Sequence, residues 1–320
     1  MLDGTLSILN AVVGDYLRRR GNPLQIELAF YDGGRQLTCD RDAIARAHPA
    51  ATDRVCLLVH GLAANEGAWA FPGEPARTYG AALQRDLGFT PFQVRYNTGL
   101  HVSDNGMLLA QLVEALIRCH PAEVRELVLV GHSMGGLVVR SACEAARTAG
   151  QSWLHQVSHA FYLGSPHRGA PLEKAGNVAA WALGAIGVVH ASVLADVVNL
   201  RSAGIKDLRF GSLVSGDWEG RDANALLEDT CAAVPLARGV EHHFGVGGLA
   251  ASERHLVTRL LGDSMVSVSS AKASGRPRDR ETREDVRFFP RVSHIGLAHD
   301  EDVYRWIRGC CAGDLIPEAT

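Results

Sequence analysis

Leu127-Val128-Leu129-Val130-Gly131-His132-Ser133-Met134-Gly135-Gly136-Leu137-Val138-Val139 is the stretch that decides the fold. A short apolar run of strand length meets a glycine-flanked serine, and a second apolar run follows at helical spacing. This reads as a buried strand that turns sharply into a helix with Ser133 at the bend. Glycines on either side of the serine let the backbone crowd together, which lifts the hydroxyl above the sheet and aims neighbouring N–H groups at it. G-x-S-x-G spacing is weak evidence by itself; the strand before it and the helix after it are the context that gives it meaning.

Outward from the elbow, strand-like and helix-like segments alternate after residue 50. Strands are predicted over 54–59, 92–96, 159–163, 240–246 and 286–289, and helices over 76–87, 106–119 and 134–149. Such alternation predicts an α/β fold, a mostly parallel central sheet flanked by helices. Residues 24–31 read as an edge strand followed by a polar loop. Near the start, Leu6, Leu9, Val12, Val13 and Leu17 recur at helical spacing, with Asp15, Arg18, Arg19 and Arg20 on the other side. An amphipathic helix ending near Gly21-Asn22-Pro23 is predicted, packed on the body, with a membrane-surface helix as the sharper alternative. It does not read as a secretory signal, since the arginines follow the apolar positions and no long apolar stretch is present.

The insertion at 170–238 contains Val178-Ala179-Ala180-Trp181-Ala182-Leu183-Gly184-Ala185-Ile186-Gly187-Val188-Val189-His190, close in character to a membrane span. Glu173, Lys174, His190 and Asp196 interrupt or flank it, and a span at this point would tear the sheet apart. A helical cap or lid is the expectation, apolar toward both the body and an apolar substrate. The chain therefore divides into 1–53 (N-terminal helix and edge strand), 54–169 (first part of the core), 170–238 (cap) and 239–320 (second part of the core). Residues 275–284 are charge-rich and read as a solvated loop.

With 32 Lys and Arg against 35 Asp and Glu and no basic block, the chain offers no footprint for nucleic acid; a small uncharged or apolar substrate fits better. Cys39, Cys56, Cys119, Cys143, Cys231, Cys310 and Cys311 are odd in number and form no C-x-x-C pair. Reduced thiols in a cytoplasmic protein are the expectation.

A serine hydroxyl is a poor nucleophile at neutral pH and needs a histidine to take its proton and a carboxylate to orient the imidazole. The expected chain order is Ser, acid, His. Asp263, in Leu260-Leu261-Gly262-Asp263-Ser264-Met265-Val266, lies in a loop after the presumed penultimate strand. Residue chemistry alone leaves it level with Asp217, Asp222, Asp279 and Asp285. His294 falls between the last strand and the terminal helix; His299 stands beside it at the helix start, where capping would occupy it. His242 and His243 lie within a strand, so at best one faces the site. His155 and His159 have the four-residue spacing of helical metal ligands but no third ligand at suitable spacing, and no metal is assigned. For the oxyanion, the amides of Leu62 and Met134 are the predicted donors, with His60 and His132 as hydrogen-bonded scaffold.

His60-Gly61, the elbow, Gly164-Ser165-Pro166-His167-Arg168-Gly169, the Gly262-Asp263 loop and His294 together resemble lipase-like α/β-hydrolases over about 54–309. The resemblance runs to bacterial esterases and lipases related to the GPI inositol-deacylase-like and triacylglycerol-lipase groups. It implies the α/β-hydrolase fold, with Ser133 as nucleophile, Asp263 as acid, His294 as base, and no organic cofactor. One departure is that Ser264 and Met265 follow the acid where such families often carry glycine. Tyr96-Asn97-Thr98-Gly99 and Asp104-Asn105-Gly106 also match this group and are expected to shape the pocket wall. The expected activity is hydrolysis of apolar acyl or aromatic esters, polyesters included, with lipid-interface contact through the cap or the N-terminal helix. An acyltransferase or thioesterase using the same triad, and a non-catalytic binding protein on the same scaffold, remain as alternatives.

Overall fold

The computed structural model describes residues 2–167, 169, 202–219, 232, 234–248 and 283–314. The strands are β1 (Ala29–Asp32), β2 (Arg35–Leu37), β3 (Arg54–Val59), β4 (Ala70–Phe71), β5 (Glu74–Thr78), β6 (Thr90–Arg95), β7 (Glu126–His132), β8 (Val157–Leu163), β9 (Glu241–Gly248) and β10 (Arg283–Pro290). Among the described residues, eight of them form one sheet in the order β10-β9-β8-β7-β3-β6-β1-β2, while β4 and β5 make a separate ribbon. Every pairing from β10 across to β6 is parallel. β1 and β2 close the sheet antiparallel.

The expected edge strand at 24–31 is thus corrected. Only Ala29–Asp32 is a strand, and it lies inside β2, which takes the edge. The cause is local: Gly33 and Gly34 both adopt positive φ, 53° and 78°, and a two-residue turn of that kind sends the chain straight back on itself.

The helices are α1 (Leu2–Arg19), α2 (Arg41–Ala47), α3 (Tyr79–Leu87), α4 (Val102–Cys119), α5 (Met134–Ala149), α6 (Ala203–Phe210) and α7 (Glu301–Ala312). α3 starts later than expected because 74–78 is drawn into β5, and the Thr78 hydroxyl then caps the helix by accepting the Ala81 N–H at 3.1 Å. α4 starts earlier than expected. The Asp207 carboxylate, from beyond β8 in sequence, accepts the Val102 N–H at 2.7 Å and satisfies a helix-start donor that no local residue serves.

Side chains of the central strands alternate between two apolar layers. Leu57, Val59, Leu127 and Leu129 join Val113 and Leu116 of α4 and Leu137 and Val138 of α5 on one face. Cys56, Leu58, Val128 and Val130 join Leu83 of α3 and Val303 and Ile307 of α7 on the other. Burial on both faces is why these strands read as unbroken apolar runs. α1 lies on the body: Ile8, Ala11, Val12 and Leu17 are buried, and Asn97 donates through Nδ2 to the Gly14 carbonyl at 3.0 Å. Among the described residues no helix is long and apolar enough to cross a membrane, and the apolar stretch at 178–190 lies outside them.

A buried ion pair fastens the end of β6 to the turn that follows β3. Arg95 donates from Nε to Glu66 Oε2 at 2.8 Å and from Nη2 to Oε1 at 2.5 Å, and its guanidinium lies 4.1 Å from the centre of the Tyr31 ring. Glu66→Ala strands a buried guanidinium and is expected to cost about 3–5 kcal/mol, read from urea denaturation. A loss below about 1 kcal/mol would mean that Asp3, 3.3 Å from Arg95 Nη1, takes over the pairing.

Candidate active site

β7 ends at His132, and Ser133 adopts φ 53°, ψ −122°, a left-handed conformation that a residue with a Cβ occupies only under constraint. Two backbone bonds hold it there. The Ser133 N–H donates to Leu163 O at 2.8 Å, tying the bend to the end of β8, and the Gly136 N–H donates to Ser133 O at 3.1 Å. The side chain makes no capping bond to α5, so the hydroxyl is not spent on the helix. Glycine is required alongside: a Cβ at Gly135 would sit 2.1 Å from Val59 O, and one at Gly61 would sit 3.0 Å from the Ser133 Cβ. The elbow and the end of β3 therefore touch through backbone.

The two predicted oxyanion donors flank this contact in sequence, Leu62 beyond the end of β3 and Met134 at the start of α5. After Gly61, the Ala63 N–H is taken by Thr98 Oγ1 at 3.2 Å and the Ala64 N–H by Gly61 O at 3.3 Å, with Ala63 at φ 60°. The Leu62 N–H lies just ahead of these engaged groups. Met134 opens α5, where an N–H has no carbonyl one turn back to bond. Both residues are buried, which keeps water from competing for their amides. Thr98 lies in the segment expected to shape the pocket wall, and nothing in local spacing shows that its hydroxyl fixes a turn 35 residues away.

The scaffold role expected of His60 and His132 has a physical form. His60 is buried, faces Gly61 O with Nδ1 at 2.9 Å and stacks on Tyr96, and burial lowers its pKa to about 4, so it remains neutral. His132 Nε2 donates to the carbonyl of His294 at 2.8 Å, and the two rings lie 4.9 Å apart. The residue before the serine thus holds the loop that carries the predicted base. That loop leaves β10 through Arg291 at φ 62° and buries His294.

The competing histidines are engaged elsewhere. His299 Nδ1 faces Ala68 O at 3.3 Å, and the cap of α7 is Asp300, not His299. His242 donates to Ala237 O and accepts from the Tyr162 hydroxyl, both at 3.0 Å. His243 sits two residues into β9, at the end of the sheet away from Ser133. His155 and His159 share no helix: His155 lies in a 3₁₀ turn over Ser152–Gln156 and His159 in β8, so the four-residue spacing carries no common face.

Among the acids, Asp217 is a turn-holder whose carboxylate accepts the N–H groups of Leu213, Val214 and Ala232 at 2.8, 3.2 and 2.6 Å. Asp285 is the third residue of β10, toward the far end of the sheet, and accepts from Trp306 Nε1 at 3.2 Å. Asp263, Asp222 and Asp279 lie outside the described residues.

Part of the expected cap is described, and it lies at the elbow. A Cβ at Gly204 of α6 would meet the Thr98 carbonyl at 2.2 Å and Met134 Cε at 2.9 Å, and Ser202 Oγ donates to Ala11 O at 2.6 Å. His101 Nδ1 donates to the buried Asp207 at 3.1 Å, and Trp218 stacks on the His101 ring at 3.8 Å. α6 therefore bridges α1, the Thr98 turn and the start of α5.

The fold is similar to that of Bacillus licheniformis lipase BlEst2 in its propeptide form, with 17% identity over 85% of this chain and 52% of that one and a TM-score of 0.52. Aspergillus fumigatus lipase B gives a TM-score of 0.49 at 10% identity, over 89% of this chain and 60% of that one. The chain thus spans about half the length of the BlEst2 form it matches. No curated protein sequence matches it. The sequence pattern of the PGAP1-like alpha/beta domain matches residues 52–219, more than half of the chain and the part that holds β3, β7 and the elbow. The chain belongs to the PGAP1-like alpha/beta domain family and has the fold of a lipase-like α/β-hydrolase.

Proposed function

We propose that this chain is a carboxylic-ester hydrolase that works through an acyl-enzyme. Ser133 Oγ attacks the ester carbonyl while His294 takes its proton. The amides of Leu62 and Met134 hold the developing oxyanion, and His294 returns the proton to the departing alcohol. Water, deprotonated by the same histidine, then releases the acid and restores Ser133. Asp263 is assigned the part of orienting His294. The observation that carries the reading is Ser133 held at positive φ with its side chain unused by the helix, at the C-terminal end of β7, where Gly135 packs closely on the Val59 carbonyl.

The 170–238 insertion is assigned to substrate selection, and its apolar composition favours apolar acyl or aromatic esters. The test is a series of p-nitrophenyl esters from acetate to palmitate with methanol present as a competing acceptor. Release of nitrophenolate with free acid as the product is expected. Methyl ester as the dominant product would move the assignment to an acyltransferase, and no turnover at any length would remove the reading for simple esters.

A further inference from the structure

Three side chains with metal-binding atoms converge at the beginning of β8 and β9, the end of the sheet opposite to Ser133. His159 and Glu241 are register partners across these strands, and His243 follows on the same face. His159 Nδ1 lies 3.0 Å from His243 Nε2 and 3.7 Å from Glu241 Oε2, and His243 Nε2 lies 4.0 Å from the same oxygen. Tetrahedral coordination with bonds of about 2.0–2.1 Å places donor atoms about 3.3 Å apart. The three observed distances bracket that value, so the histidine nitrogens have to part slightly and the half-exposed Glu241 side chain has to close in. We propose that His159 Nδ1, His243 Nε2 and Glu241 Oε2 bind a divalent transition-metal ion of the zinc type, with the fourth position open to water.

The surroundings are arranged as such a site needs. The His243 ring is held between Phe161, stacked at 4.5 Å, and the edge of Trp306 at 5.8 Å. Its other nitrogen, Nδ1, faces Asp285 Oδ2 at 3.7 Å, and that carboxylate is itself held by the Trp306 indole. A carboxylate behind the ring keeps the proton on Nδ1 and leaves the Nε2 lone pair toward His159 and Glu241, the tautomer a metal ligand requires. Arg283 occupies the other oxygen of Glu241, Oε1, at 3.1 Å, which leaves Oε2 to the histidines. Glu241 is 41% exposed, which gives an ion and a water access.

A second donor set, His243 Nδ1, Asp285 and Cys310, is poorer. It uses the same His243 ring, and Asp285 Oδ2 already accepts the Trp306 indole N–H. The proposed ion would join β8 to β9 on the far side of the sheet from the elbow, so the proposal stands apart from the ester-hydrolase reading.

The test uses the full chain after EDTA treatment and removal of the chelator. Titration with Co²⁺ is expected to give the intense visible absorption of four-coordinate cobalt, saturating at one ion per chain and abolished by Zn²⁺, and Zn²⁺ is expected to raise the Tm. His159→Gln and Glu241→Gln should each weaken Zn²⁺ binding by about 100-fold, and Asp285→Asn by about 10–100-fold. Glu241→Gln alters a half-exposed side chain, so its readout does not depend on core packing. No visible band and no shift in Tm would overturn the proposal and leave the histidine pair as an N–H···N hydrogen bond. A band that survives both His159→Gln and Glu241→Gln would overturn it equally.

Discussion

Ser133→Ala is expected to lower kcat for ester hydrolysis by about 10⁴–10⁶ while the protein stays folded. The loss is that large because the other groups act only through the nucleophile: a base with no hydroxyl to deprotonate and an oxyanion site with no tetrahedral adduct add little. The activity that survives would come from binding and from the amides of Leu62 and Met134 acting on attack by water. Stability should remain near that of the parent. Alanine keeps the Cβ, so the packing of the elbow against Gly61 is unchanged, and the hydroxyl makes no capping bond to forfeit. The decisive measurement pairs the kcat of purified Ser133→Ala with its urea midpoint, alongside labelling of both proteins by a fluorophosphonate. An alanine variant that keeps a tenth of parental activity, or a parent that takes up no label, would remove Ser133 from the mechanism.

The legible features of this chain are those whose causes lie close together in sequence. β3 appears at 54–59 and α5 at 134–149 as read, because each is an uninterrupted apolar pattern bounded by its own glycine turn. The elbow was legible for the same reason: Gly131, Ser133 and Gly135 carry the geometry within five residues. What escaped the reading depends on partners distant in sequence. The Thr98 hydroxyl fixes Ala63, the Asp207 carboxylate starts α4, and His132 holds the His294 loop across 162 positions. None of these leaves a periodicity.

The histidines divide along the same line. Reading His155 with His159 applied a helical period to residues that lie in a 3₁₀ turn and a strand, whereas the neighbours that matter to His159 come from β9. Sheet register, not sequence spacing, sets that cluster. The place of His294 between the last strand and the last helix was legible, since β10 and α7 flank it as expected. The acid was not resolved by residue chemistry, and the structure narrows the field by giving Asp217 and Asp285 other work.

Loss of stability on mild acidification is the other large effect expected. Burial lowers His60 and His242 to about 4 and takes His167 well below 6.5. Burial, which disfavours the charged ring, holds each neutral. His242 Nδ1 accepts from Tyr162 and His167 Nδ1 accepts from Arg140 at 3.2 Å, so protonation at either nitrogen would break a contact. In the unfolded chain the same rings titrate near 6.5. Between about pH 6.5 and 4 the unfolded state therefore binds more protons than the folded one, and stability falls as pH falls, by up to about 1.4 kcal/mol per pH unit for each histidine. The contribution is complete above pH 6.5 and levels off below each folded pKa. Asp207 acts in the opposite sense, since burial raises its carboxyl above 3.8. Three histidines acting together would cost about 4 kcal/mol per pH unit at the steepest, a large part of the 5–15 kcal/mol typical of a folded domain. Urea unfolding free energies measured from pH 7.5 to 4.5 should drop with that slope. His242→Gln removes one titrating ring and should flatten it by about one proton, whatever it does to the absolute stability. A flat profile in the parent would show that these rings take up protons without leaving their buried sites.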